Sequence, residues 1–168
     1  MKLLLKFNLA FLLVFVIGLV ACGLIARSML QKSAHEEILG NARLIMESAQ
    51  AVSSYTAAQI KPLLETQMKY GFLPQSVPAY SSTEVVNALR EKHPDYAYKP
   101  AMLNPTNPRD RAQDWEEDVI AQFTKDPKLT EYVGQRDTAS GRLMFIARPI
   151  RLTNPVCLQC HSTVDAAP

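Results

Sequence analysis

Cys157, Cys160 and the adjacent His161 stand in the spacing C-x-x-C-H, the attachment signature of a c-type haem. Two thiols three positions apart can add to the two vinyl groups of one haem, and the neighbouring imidazole can then reach the iron as proximal ligand. The competing chemistries fit less well. A zinc site normally takes four ligands, with a second Cys or His pair, and the chain has no second C-x-x-C. A thioredoxin-like dithiol accompanies a βαβ pattern, which the upstream segments do not show. The sequence therefore predicts one covalently bound haem c per chain.

Such a motif needs a membrane address and a scaffold, and the N-terminus supplies the first. Leu9 to Ala26 carries no charge, follows Lys2 and Lys6, and precedes Arg27. A run of about 18 residues or more is a candidate transmembrane helix. Its basic start favours the cytoplasmic side, while Arg27 and Lys32 weaken the asymmetry. The haem decides the orientation, because c-type haem is attached on the extracytoplasmic face. The expected location is the inner membrane, single-pass, with the haem domain periplasmic. Two alternatives share these features: a cleaved signal peptide, and a lipoprotein with Leu19-Val20-Ala21-Cys22 as its cleavage box. The apolar run continues past Cys22 into Ile25-Ala26 and then a helix-forming stretch, which favours an uncleaved anchor. The division is residues 1–30 as anchor and 31–168 as haem domain.

The 168-residue chain is 48% hydrophobic and 20% charged, a globular composition. Its net charge of +2, with basic residues spread along the chain, gives no footprint for nucleic acid. With two of its three cysteines in the haem motif, no pair remains for a structural disulfide. From Arg27 to about Gln67 the spacing of Ile38, Ala42, Ile45, Ala49 and Val52 predicts an amphipathic helix continuing the anchor. Pro62 is placed to kink or restart it.

Beyond the helix, Gly71 to Ser82 reads as a loop. Thr83 to Lys92 reads as a short helix capped by Ser82 or Thr83, and Tyr96 to Leu103 as a strand. Asn104 to Pro108 is a turn cluster, and Arg109 to Phe123 a helix burying Trp115, Val119, Ile120 and Phe123. Leu129–Gln135 and Arg142–Leu152 read as an antiparallel hairpin turning at Asp137–Gly141. The class is α+β with an antiparallel sheet.

Several blocks are individually distinctive: Tyr55-Thr56 with Ile60-Lys61-Pro62, Phe72 with Pro74 to Tyr80, and Pro94-Asp95-Tyr96 with Tyr98-Lys99. They continue through Leu103 to Pro108, Arg111-Ala112, Trp115-Glu116, Phe123 and Ala147 to Ile150. Cys157 to Ser162 and Ala167-Pro168 close the series. In this order they resemble a family of bacterial extracytoplasmic haem-binding domains with a PAS-like fold, found alone and at the N-termini of sensor kinases and cyclases. The resemblance covers essentially the whole soluble part. It implies a PAS-like sheet crossed by the N-terminal helix, and a haem used for redox or gas sensing or for electron transfer. Family members usually continue beyond the Ala-Pro pair, so the chain is expected to be a fragment or to lack its output domain.

Within that frame Met46 is the leading candidate for the distal ligand, on the helix face shared with Leu39, Ala42 and Ala49. Its alternative role is core filling, which methionine does readily. A five-coordinate iron open to a gas is the other arrangement. Met68, Met102, Met144, His35 and His93 are weaker candidates. Arg148 could pair with a haem propionate, since a guanidinium matches carboxylate geometry, or form an ordinary surface ion pair. Tyr55 and Tyr80 either line the pocket or pack. No distal acid–base group suited to an enzyme such as a peroxidase is visible, so the expectation is a non-enzyme. Sensing in signal transduction is the first reading, and a periplasmic electron-transfer cytochrome the alternative. The partners expected are the membrane, a second copy through the N-terminal helix, and a redox partner or gas ligand.

Overall fold

The computed structural model describes residues 2–139 and 141–151. These residues are mostly helical, with one small antiparallel sheet. The chain divides into two compact units, Met1–Ile45 and Met46–Pro168.

Helix α1 runs unbroken over Lys2–Tyr55. In the first unit its apolar side chains, Leu9 to Ile25 among them, are exposed. This is the one helix among the described residues long and apolar enough to cross a membrane. At 1.5 Å per residue, Leu9 to Ala26 is about 27 Å long, close to the thickness of a bilayer's hydrocarbon core. Length and composition would also suit a signal sequence.

Pro62 acts on this helix as its chemistry requires. It cannot donate to the carbonyl of Ala58, and its ring would clash there. The chain answers with a π-helical turn over Thr56–Ile60, after which α2 continues over Lys61–Met68. Widening the helix by one residue makes room for the ring and keeps the helical path.

The second unit packs around small side chains. Ala49, Thr56, Ser76, Ser82 and Thr83 are buried, joined by Val86, Ala112 and Val119. Ser53 ties α1 to the segment that follows, its hydroxyl donating to the Pro78 carbonyl at 3.1 Å. A 3₁₀ turn over Pro74–Ser76 leads into α3, Pro78–Arg90. The helix thus begins well before Thr83, with proline at its first position, where the missing N–H is harmless. Ser82 and Thr83 are not caps. Both are buried inside α3, and their hydroxyls donate back to the Ala79 carbonyl, the local bond that lets such residues sit within a helix.

The strand expected over Tyr96–Leu103 does not form. That segment is extended and has no partner strand among the described residues, apart from one bridge between Met102 and Arg111. The Asn104–Pro108 turn closes this loop and ends in a 3₁₀ turn over Pro108–Asp110, where the Asn107 side chain accepts from the Arg109 N–H. Helix α4 covers Asp114–Lys125, starting later than Arg109 because the Glu116 carboxylate accepts the Gln113 N–H and fixes the entry there. Strands β1, Tyr132–Thr138, and β2, Gly141–Ala147, form the anticipated hairpin, in a register pairing Tyr132 with Ala147 and Gly134 with Phe145. Strand β1 begins and ends later than the alternation predicts, and β2 stops short of Leu152. Gly141 follows the turn at φ +123°, which only glycine adopts without strain.

Candidate functional site

Met46 lies on α1 three residues before Ala49 and seven before Ser53, on the helix face that packs within the second unit. It is half-buried. Arg148 follows β2 and is also half-buried. Its Nε and Nη2 donate to Glu131 Oε2 at 2.9 and 2.8 Å. Its Nη1 and Nη2 both stand 3.5 Å from Glu47 Oε1. Arg148 therefore reaches α1 at Glu47, the residue that follows Met46 in the chain. Neither Glu47 nor Glu131 was among the sequence candidates. Glu47 is 101 positions from Arg148, and no spacing rule reaches that far.

Cys157, Cys160 and His161 lie outside the described residues. The chain leading to them is tied down at its last described residue, where Arg151 Nη2 donates to the Pro127 carbonyl at 2.8 Å.

Of the weaker candidates, Met68, Met102 and Met144 are half-buried at separate places: the end of α2, the bridge to Arg111, and the face of β2 opposite Phe145. His93 is exposed between α3 and the extended segment. His35 belongs to the first unit. No group of three His, Cys, Asp or Glu able to hold a metal occurs among the described residues.

Several distinctive blocks do structural work. Lys99 Nζ donates to the Arg111 carbonyl and to Glu116 Oε2, both at 2.6 Å, tying the extended segment to the start of α4. Arg109 stacks 5.3 Å above the Tyr80 ring and pairs with Glu84 at 2.7 Å, which docks the turn cluster on α3. Tyr80 is thus a packing residue of this joint, and Tyr55 is exposed. Burial raises the pKa of Tyr98, against the opposing effect of its hydrogen bond to Ser82 and with the support of nearby Asp110. Burial likewise raises Asp110, against the pull of Arg109 and Lys99.

An aromatic cluster joins the hairpin to α4. The rings of Trp115 and Phe145 are 4.9 Å apart, and the Arg136 guanidinium lies 4.5 Å from the Trp115 ring. Phe145 covers Gly134 so closely that a Cβ there would overlap its ring. Asp118, Gln122 and Gln135 complete a shallow, half-open cleft of about 180 Å³ beside this cluster.

The assembled blocks lie within one family pattern, matched over residues 31–168. The chain belongs to the Tll0287-like family. The Tll0287-like match takes in the two residues on the described side, Met46 and Arg148, together with the C-x-x-C-H segment. Comparison with curated proteins and with solved structures gives no match.

Proposed function

We propose that this Tll0287-like protein is a membrane-anchored c-type haem protein that serves as a redox or gas sensor domain in signal transduction. Cys157-Leu158-Gln159-Cys160-His161 carries the reading. The residue types suit the group: two thiols could form the covalent links to the haem, and one imidazole with a half-buried thioether at Met46 could serve as the iron's two protein donors. The proposed fold is PAS-like, with α1 crossing the haem side of the domain. The proposed address is the inner membrane with the domain periplasmic, and the proposed activity is non-enzymatic.

When bound, the haem supplies a one-electron couple at iron, and an open coordination position if Met46 is off. The rest falls to the chain. Cys157 and Cys160 hold the group through thioethers, so it cannot dissociate. His161 would supply an imidazole ligand to the iron. Met46 presents its sulfur from α1, and ligand exchange there would be felt first by that helix. Sensing needs an element with two states whose balance the iron biases. Support for α1 in that role comes from its unbroken course from the apolar span to Met46.

The test is a haem stain after denaturing electrophoresis of protein matured with haem, with absorption spectra of both redox states. Stain that survives denaturation and fades in Cys157→Ala and Cys160→Ala is the expected result. Loss of the low-spin spectrum in Met46→Ala would assign the distal ligand. An unstained wild-type chain would end the haem reading and return the motif to thiol or metal chemistry.

A further inference from the structure

The cleft beside the hairpin is lined by two opposite charges that do not meet. On α4, Trp115, Asp118 and Gln122 recur at the spacing of one helical face. On β1, Tyr132 and Arg136 stand two positions either side of Gly134, on one face of the strand. These two faces border the space of about 180 Å³, and Phe145, paired with Gly134 across the hairpin, lines it from β2. Gly134 has no side chain to fill the gap between Tyr132 and Arg136. The Arg136 guanidinium lies over the Trp115 ring at 4.5 Å. An aromatic ring attracts a cation without neutralising it, so Arg136 keeps its full charge for an anion. Asp118 lines the same space from its exposed rim. Among the described residues neither Asp118 nor Arg136 forms an ion pair, with the other or with a third group.

We propose that this cleft binds a small α-amino acid with an apolar side chain, its carboxylate on Arg136 and its ammonium on Asp118. A zwitterion answers both charges at once. A plain carboxylic acid would leave Asp118 facing a like charge, and a plain amine would leave Arg136 doing so. Size points the same way: a cavity of about 150 Å³ accepts a benzene molecule, so the space here suits a ligand of that order. The rings of Tyr132 and Phe145 supply an apolar wall for the side chain, and Gln122, one turn beyond Asp118, adds an amide that can donate or accept. The site goes beyond the haem reading and does not depend on it.

Isothermal titration calorimetry on the full-length protein in detergent micelles tests this, with L-valine, L-leucine and L-methionine as probes. At least one should bind with a Kd of about 1 mM or tighter. Its amide, which lacks the carboxylate, and its deaminated acid, which lacks the ammonium, should each bind at least about tenfold more weakly, as befits the loss of one charge-assisted hydrogen bond. Arg136→Gln and Asp118→Asn should weaken the amino acid by a similar factor. Arg142→Gln, which breaks the exposed pair with Asp137 on the same hairpin, should leave its affinity unchanged. A thermal midpoint near that of wild type identifies a folded variant; if Arg136→Gln unfolds, Asp118→Asn and the two analogues decide. Binding by none of the three amino acids, equal binding of either analogue, or wild-type affinity in Asp118→Asn would overturn the proposal.

Discussion

Gly134 and Phe145 show how much one missing side chain can position. Phe145 lies across Gly134 and reaches Trp115, the chain's one tryptophan. A methyl group in Gly134→Ala displaces that ring, with a cost of about 1–3 kcal/mol typical of overpacking. The expected signature is a lower denaturation midpoint with a shifted Trp115 emission; unchanged emission would mean that the ring was not displaced. Asp110 gives a pH-dependent prediction. Its folded-state pKa is raised, so the native state holds the proton more firmly than the unfolded chain. Stability therefore falls as pH rises from the ordinary carboxylate range through the raised value. Asp110→Asn removes this slope, so its stability relative to wild type should improve between mildly acidic and neutral pH. A constant gap in midpoints across that range would contradict the sign.

At the scale of elements, what the sequence made legible was local. A long run without breakers predicts α1, and Pro62 predicts its disturbance, though not that a π turn would absorb it. The hairpin announced itself by alternation and a turn, and appears in antiparallel register. What failed was set by contacts between distant residues. Tyr96–Leu103 has strand-like composition, but it is held by Lys99 on Glu116 and by the loop closed at Met102 and Arg111, and it pairs with no strand among the described residues. Ser82 and Thr83 look like caps because their hydroxyls suit caps, yet Val77 and Pro78 had already started α3. The candidate site divides the same way. The half-buried position of Met46 on α1 is legible from helical spacing, whereas the meeting of Arg148 with Glu47 depends on the tertiary fold. Ala49 is a small residue at a position 1% exposed, so Ala49→Leu should overpack its surroundings and cost about 1–3 kcal/mol. Thermal denaturation would measure the loss, and a neutral outcome would show that the second unit has room for the larger side chain there.

For the whole molecule, the apolar span and the C-x-x-C-H motif constrain each other. A haem attached through thioethers requires the domain outside the cytoplasm, and the basic start of the chain favours the opposite side for residues before Leu9. The two agree if the span crosses once, and its retention is a separate question. Retention predicts a mature protein whose mass includes Met1 or Lys2 onward, and which remains with membranes through an alkaline wash. Protease added to spheroplasts should then degrade the domain while membranes are intact. A mass beginning at a lipidated Cys22 would make the protein a lipoprotein, leaving the domain's side unchanged but removing a continuous helix as the route for a signal. A domain protected from protease until the membrane is broken would place it in the cytoplasm, where haem attachment of this type does not occur. The side of the membrane thus bears on the haem as well as on the anchor.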